Sequence, residues 1–115
     1  MPVIKYEQIQ MSDAVMDGAA RVLKAVAVGP QEGWDDYVLR VFRLGPGGYS
    51  PKHRHDWEHV NYVIAGHGRL TIGKETTELD PGDFAFIPPE TEHQYENAGD
   101  DDFEFICIVP ERGEY

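Results

Sequence analysis

Turn-forming residues divide the 115-residue chain into short segments, and this spacing limits the folds that the chain can adopt. Glycine and proline are the strongest local signals for turns, and from residue 29 onward they recur every several residues. The segments between them are too short for long helices, and none has convincing helical periodicity. The turn signals lie at residues 29–30, 45–48, 66–68, 73–74, 80–83, 88–89 and 99–102.

The segments between these turns are rich in valine, isoleucine, phenylalanine and tyrosine, which favour β-strands. Many short strands with frequent turns predict an all-β sandwich or barrel. A parallel βαβ arrangement would need helical crossovers that the sequence does not offer. The predicted strands cover residues 19–28, 36–44, 53–65, 69–72, 75–79, 84–87, 93–98 and 103–109, and the apolar segment 84–87 is expected to be buried.

The two ends of the chain carry weaker signals. Residues 4–9 are compatible with a short strand, and Ser12 and Asp13 with the cap of one helical turn. Residues 111–115 form a polar tail. A chain of this length is expected to form one domain with a single core.

Composition argues against several classes of partner. The formal net charge of −11 would repel nucleic-acid phosphates and anionic lipids, so neither nucleic acid nor membrane is an expected partner. No apolar run is long enough to cross a bilayer, and residues 1–5 lack the apolar core of a secretory signal, so we expect a cytoplasmic protein. The single cysteine, Cys107, excludes an internal disulfide and a multi-cysteine zinc site.

Three of the five histidines, His53, His55 and His59, lie within seven residues. In an extended strand they would point to the same face, because side chains alternate between faces. Neutral imidazole is the commonest protein ligand for transition metals, so three in phase predict a metal site. Glu58 is a competing ligand, but alternation directs it to the opposite face.

A fourth histidine, His93, follows a second turn and is expected to complete the site. His67 lies between two glycines at a turn, where an exposed side chain without a metal role is expected. The predicted metal ligands are therefore His53, His55, His59 and His93.

Two motifs in this region resemble those of a small single-domain cupin. The first is a glycine, a His-x-His pair, an acidic ligand and a second glycine; the second is a glycine, a Pro-x-Gly element, a histidine and an asparagine. In this chain His59 stands in place of the acidic ligand and Glu90 in place of the glycine after proline. The matching residues are Gly47, His53, His55, Gly66, Gly82, Pro88, His93 and Asn97.

The resemblance implies a double-sheet jelly-roll β-barrel at residues 19–110 with one divalent metal ion inside. It is closest to the cupins with four histidine ligands, among which manganese-binding members are known. We therefore expect manganese or iron, with zinc, nickel or copper as alternatives. The same subgroup implies a homodimer in which residues 1–18 form an N-terminal arm that exchanges or pairs with the partner.

The wall of the pocket is expected to come from apolar strands. Cys107 has two open roles: an inert core residue, or an oxidisable thiol near the metal, where the resembling proteins carry a cysteine. Asn97 is either a hydrogen-bonding residue beside the site or part of the turn before Gly99. The candidate wall residues are Trp57, Phe84, Phe86, Ile87, Tyr95, Phe103 and Phe105.

Three functions remain open from the sequence. The favoured one is a metal-dependent, dioxygenase-like oxygenase acting on a small organic substrate, because four neutral ligands on a six-coordinate ion leave two positions for substrate and dioxygen. A metal-dependent isomerase or lyase would need no oxygen. A non-catalytic module would use the metal only to bind or sense a small ligand.

Overall fold

The all-β prediction is confirmed. A computed structural model describes residues 2–114 and contains nine strands and three short 3-10 turns, with no α-helix in that span. No helix among these residues is long and apolar enough to cross a membrane. The strands are β1 (Ser12–Asp13), β2 (Ala20–Val28), β3 (Tyr37–Tyr49), β4 (His59–Ala65), β5 (Gly68–Ile72), β6 (Glu75–Leu79), β7 (Phe84–Ile87), β8 (His93–Asn97) and β9 (Phe103–Pro110).

The strands form one curled antiparallel sheet in the order β6-β5-β8-β3-β9-β4-β7, with β2 paired to β3 and β1 to β2. The long strand β3 joins the two halves of the curl. It pairs with β9 over Tyr37 to Leu44, and its far end, Tyr49, pairs with Glu96 of β8. The curl therefore brings β8 and β4, which carry the predicted ligands, to the same interior.

Strand β3 continues beyond Leu44, where the sequence predicted its end. The run Gly45 to Gly48 bends the strand instead of stopping it. A Cβ atom at Gly48 would lie 2.9 Å from the carbonyl oxygen of Ala20 and 2.8 Å from that of Gly45, so only glycine permits this close backbone approach. Turn-type residues therefore mark a corner of the sheet here.

The core lies inside the curl and contains side chains from both halves of the sheet. Leu44, Ile87 and Phe103 are completely buried, and each contributes about 1.5–3 kcal/mol to stability by its removal from water. Tyr95 and Phe105 stack with ring centroids 4.2 Å apart and extend the core toward the histidines.

Strand β7 differs from the prediction because it is the edge strand of the sheet and has a solvent face. Phe84 and Phe86 point outward and are 75% and 57% exposed, so the expectation that they are buried wall residues is wrong. Ile87, in the alternate phase, is buried in the core. An apolar run predicts the strand, but it does not reveal whether one or both faces are covered.

The N-terminal arm also departs from the prediction. Tyr6–Gln8 forms a 3-10 turn, and Ser12–Asp13 forms strand β1, paired with Leu23 and Lys24 of β2. At the other end, Glu111–Glu114 forms a 3-10 turn that folds back onto the barrel. The division of the chain at residues 18 and 110 stays a prediction, and Tyr115 of the expected polar tail lies outside the described residues.

Candidate metal centre

The four predicted ligands come from a loop and two strand ends; His59 and His93 are buried, His55 is half-buried and His53 is exposed. His53 and His55 lie in the loop between β3 and β4, His59 is the first residue of β4, and His93 is the first residue of β8. The expected strand over residues 53–58 is wrong, because only His53 makes an isolated bridge there and the residues after it form a bend. The loop therefore brings the imidazoles together without strand alternation.

Backbone hydrogen bonds fix this loop. The amides of His53 and His93 each donate to the carbonyl oxygen of the other, at 3.2 and 3.0 Å. The amide of Glu90 donates to the carbonyl oxygen of His55 at 2.7 Å. Glu90 has a φ of 62°, a left-handed conformation that costs a non-glycine residue about 1–2 kcal/mol, which is why the related motif has glycine near this position.

Ring nitrogens of three of the four predicted ligands converge. His53, His55 and His93 each offer a nitrogen, and these atoms lie within 4.8 Å of one another. His59 Nε2 lies 3.1 Å from His55 Nε2, and the His59 ring centroid lies 4.8 Å from that of His93. Metal–nitrogen bonds of about 2.1 Å would place neighbouring ligands of an octahedral ion about 3.0 Å apart. The His55–His59 separation fits that arrangement.

Burial keeps these imidazoles neutral. It is the largest cause that lowers the pKa of His55 to about 4 and that of His59 to about 2, and the other histidines of the cluster lower them further. The pKa values of His53 and His93 are lowered for the same reason. Neutral imidazole has the free lone pair that a metal requires.

Hydrogen bonds to the second ring nitrogen orient two of the ligands. His93 Nδ1 lies 2.9 Å from the carbonyl oxygen of Thr91, which can only accept, so Nδ1 carries the proton and Nε2 keeps its lone pair. His59 Nδ1 lies 3.2 Å from Cys107 Sγ, and donation to the sulfur leaves Nε2 free on the side of His55. Partners of this kind fix the tautomer and orientation of metal-binding histidines. His53, His55 and His93 could therefore hold a divalent transition metal, and His59 as a fourth ligand stays a prediction.

Cys107 lies at the wall of the cavity beside His59, and the role of its thiol as an oxidisable group stays a prediction. It is 1% exposed, and Arg40 Nη2 donates to its sulfur at 3.1 Å. Burial raises the pKa of the Cys107 thiol, and the guanidinium opposes that shift. The protonated thiol accordingly acts as a hydrogen-bonding link between Arg40 and His59.

The histidines line a cavity of about 300 Å³ with apolar walls. The Trp57 ring stacks on His55 with centroids 4.3 Å apart, and Tyr95 and Phe105 line the inner side. Phe103 lies in the core beside Phe105 and does not reach the cavity. A volume of this size suits a small organic molecule.

Asn97 does not line the cavity and serves the turn, the other role that was open for it. Its Nδ2 donates to the carbonyl oxygens of Leu44 and Asp101 at 2.9 and 2.8 Å, and its Oδ1 accepts from the amide of Gly99 at 2.8 Å. His67 also lies away from the cluster, at the turn between β4 and β5.

The cavity contains charged residues that the sequence prediction missed. Lys24, Arg40 and Glu114 line it, and among the described lining residues Glu114 is the only carboxylate. Arg40 could have been recognised, because it occupies a buried position in an otherwise apolar stretch of β3. Glu114 gives no such signal, since it lies in a polar tail.

Comparison with known proteins supports this architecture. The polyketide cyclase RemF from Streptomyces resistomycificus superposes with a TM-score of 0.88 at 27% identity, over 96% of this chain and 79% of that one. The 1-methylthio-D-xylulose 5-phosphate methylsulfurylase of Rhodospirillum rubrum is 34% identical over 71 residues, 62% of this chain and 46% of that protein. Gentisate 1,2 dioxygenase 1 of Aquipseudomonas alcaligenes is 36% identical over 56 residues, 48% of this chain and 16% of that protein.

The matched region thus spans less than half of the length of either curated relative. The family known as the Cupin domain matches residues 40–109, which include the four histidines and Cys107. Since this match covers more than half of the chain, the protein belongs to the cupin family.

Proposed function

We propose that this cupin is a metal-dependent oxygenase, dioxygenase-like in its chemistry, that acts on a small and largely apolar organic substrate. The observation that carries the proposal is the cluster of His53, His55 and His93 at the wall of a largely apolar cavity, with His59 Nε2 3.1 Å from His55 Nε2. The similarity to a gentisate dioxygenase over 56 residues supports the oxidative version of this chemistry.

The proposed ligands are His53, His55, His59 and His93, holding one divalent ion per chain. Manganese and iron are favoured on the resemblance to four-histidine cupins, and zinc, nickel and copper suit the same donors. When bound, such an ion supplies Lewis acidity and, if it is redox-active, electron transfer to dioxygen. Four ligands leave two positions open on a six-coordinate ion.

The chain's own residues bind and orient the substrate. Tyr95, Phe105 and Trp57 exclude water and hold an apolar substrate against the histidines. The contact of Cys107 with His59 keeps that ring in a fixed orientation. These contributions require no general acid or base from the protein.

A second candidate is non-oxidative: a cyclase, isomerase or lyase that uses the metal as a Lewis acid. The likeness to RemF, a polyketide cyclase, favours it, because that likeness extends over 96% of the chain. Both candidates share the same metal site and apolar cavity, and they differ in whether oxygen is consumed.

Oxygen dependence separates the two candidates. Protein with its metal content measured is incubated with a panel of enols, phenols and polyketide-like substrates, and oxygen uptake and product formation are recorded with and without air. The oxygenase predicts uptake equimolar with product and none in His55→Ala, with His67→Ala as the matched active control. Turnover that persists without oxygen would establish the second candidate.

We also propose a cytoplasmic homodimer. The outer face of β7 and β4 is apolar: Phe86 lies opposite Val60, and Phe84 lies opposite Tyr62. Exposed apolar faces of this kind often mark interfaces between proteins. Sedimentation analysis of wild type and a Phe84→Ser, Phe86→Ser double variant tests the proposal: the wild type should be a dimer and the variant a monomer, and a monomeric wild type would contradict it.

A further inference from the structure

The cavity has a charged wall opposite its apolar side chains, and the metal site does not account for it. Lys24 and Arg40 are two cations in one cavity of a chain whose formal net charge is −11. Arg40 is only 8% exposed, and a buried guanidinium is rarely retained without partners for its charge. We therefore expect an anionic group to bind beside these two residues within the cavity.

The hydrogen-bonding capacity of Arg40 is largely unused. One of its five N–H donors contacts Cys107 Sγ, and Nη1 lies 3.5 Å from Glu114 Oε1, which is an ion pair beyond good hydrogen-bonding distance. Its Nε is buried and has no hydrogen-bond partner among residues 2–114. A planar guanidinium in this state is suited to bind a carboxylate through two parallel hydrogen bonds.

The anion now beside Arg40 belongs to the chain itself. Glu114 Oε2 lies 2.7 Å from Lys24 Nζ, while Oε1 is buried without a hydrogen-bond partner in the described part of the chain. The carboxylate thus pairs closely with Lys24 and reaches Arg40 only at 3.5 Å. The Glu114 carboxylate lies where the carboxylate of a ligand could bind, and its contact with Arg40 is longer than in a well-formed ion pair.

The turn that carries Glu114 lies along the cavity. Gly113 packs so closely on Trp57 that a Cβ atom would lie 2.7 Å from the indole Nε1. Arg112 Nη1 donates to Asp56 Oδ1 at 2.6 Å, in an exposed pair worth at most about 1 kcal/mol. An entering anion therefore has to displace the Glu114 side chain, while the turn itself stays packed at Gly113.

We propose that Arg40 and Lys24 form a subsite for the carboxylate group of the substrate, and that Glu114 fills this subsite in the unliganded protein. The substrate class is then an apolar organic acid whose body lies against Phe42 and Phe105 and whose other oxygen atoms face the histidines. The inference rests on the proposed function only in assuming that the substrate enters this cavity.

Benzoate and its neutral isostere benzamide are suitable probes, because they differ mainly in charge. Dissociation constants are measured by NMR titration of purified protein with known metal content, for wild type, Glu114→Gln and the matched control Glu111→Gln. An internal carboxylate competes at an effective concentration in the millimolar range, so its removal should tighten benzoate binding about tenfold. Benzamide binding should not change, and Glu111→Gln should match wild type.

Removal of Lys24 or Arg40 should reverse the tighter benzoate binding that is expected of Glu114→Gln. In the Glu114→Gln background, Lys24→Gln and Arg40→Met should each weaken benzoate binding at least about fivefold without affecting benzamide. Lys24 is partly exposed, so its variant remains informative if Arg40→Met fails to fold. Equal benzoate affinity in Glu114→Gln and Glu111→Gln, or no detectable benzoate binding in either, would overturn the subsite.

The two proposals can fail separately. Benzoate binding that depends on Glu114 and Lys24, in a protein without metal-dependent turnover, would retain the subsite and reject the enzyme. Metal-dependent turnover with no preference for acids over their amides would retain the enzyme and reject the subsite.

Discussion

The five histidines lie in two environments that shift the imidazole pKa in opposite directions. In the cluster, burial lowers the pKa values, to about 4 for His55 and about 2 for His59. At the turn between β4 and β5, hydrogen bonds to Asp80 and then Glu78 raise the pKa of His67. The cluster histidines therefore favour the neutral form that a metal could bind, whereas hydrogen bonds favour the protonated form of His67.

Burial of the cluster and the carboxylates beside His67 together explain this difference. His67 Nδ1 lies 2.8 Å from Asp80 Oδ1 and its Nε2 lies 3.3 Å from Glu78 Oε1, so both ring nitrogens act as donors when the ring is protonated. No lone pair then remains for a metal. Histidine content alone is thus a poor guide to metal binding, and the absence of nearby acids among the described cluster residues is the better one.

Loss of one histidine from the cluster should reduce metal affinity more than any other change considered below. His59→Ala should weaken binding of Mn²⁺ or Zn²⁺ by more than about 100-fold, since loss of an outer hydrogen-bonding partner alone costs 10–100-fold. Competition with a chromophoric chelator measures the affinity, and His67→Ala is the control with unchanged affinity. Unchanged affinity in His59→Ala would reduce the site to three histidines.

Loss of the sulfur beside His59 should have an intermediate effect. Cys107→Ala removes the partner of His59 Nδ1 and should weaken metal binding about tenfold, because the ring loses its fixed orientation. Cys107→Ser restores a hydrogen-bonding atom and should recover most of the loss in the same chelator competition. Equal losses in both variants would point to packing and not to orientation of the ring.

Titration of the metal-free protein should separate the two groups of histidines. By imidazole NMR, His67 should titrate above 6.5, and His55 at about 4. Since the folded pKa of His55 lies below its unfolded value, the stability from its neutral form is complete above pH 6.5 and is lost as the pH falls toward 4. The urea concentration at the midpoint of unfolding should therefore fall as the pH is lowered from 6.5 toward 4. A cluster histidine titrating near 6.5 would contradict the burial argument.

Removal of one acid near His67 should have the smallest effect. Asp80→Asn should lower the pKa of His67 toward 6.5, because the main hydrogen bond that raises it becomes neutral. Glu78→Gln should produce a smaller shift, as that contact is longer. Metal affinity should not change in either variant, and a change there would mean that the two environments are coupled.

Much of the fold followed from the sequence, because strand propensity and turn residues are local properties. Strands β2 and β5 to β9 lie close to the predicted segments, whereas β4 begins only at His59. The grouping of His53, His55 and His93 also agrees with expectation, although its cause differs, and His59 as a fourth ligand stays a prediction. Alternation along a strand suggested the shared direction, but a bent loop pinned to β8 produces it.

The missed features depend on contacts distant in sequence. The exposure of Phe84 and Phe86 follows from the position of β7 at the sheet edge, which pairing order alone decides. The approach of Glu114 to Lys24 and Arg40 joins the last residues to β2 and β3. No pattern within either segment predicts such contacts between distant parts of the chain.

The reciprocal backbone bonds between His53 and His93 have a further consequence. Two ligands are spaced by main-chain pairing, so the size of the coordination sphere is set when the sheet forms and does not await the ion. A rigid frame of uncharged nitrogens discriminates weakly among divalent ions of similar radius. We therefore expect the identity of any bound ion to depend on the local supply of metals, and the reactivity of the chain to differ from one metal to another.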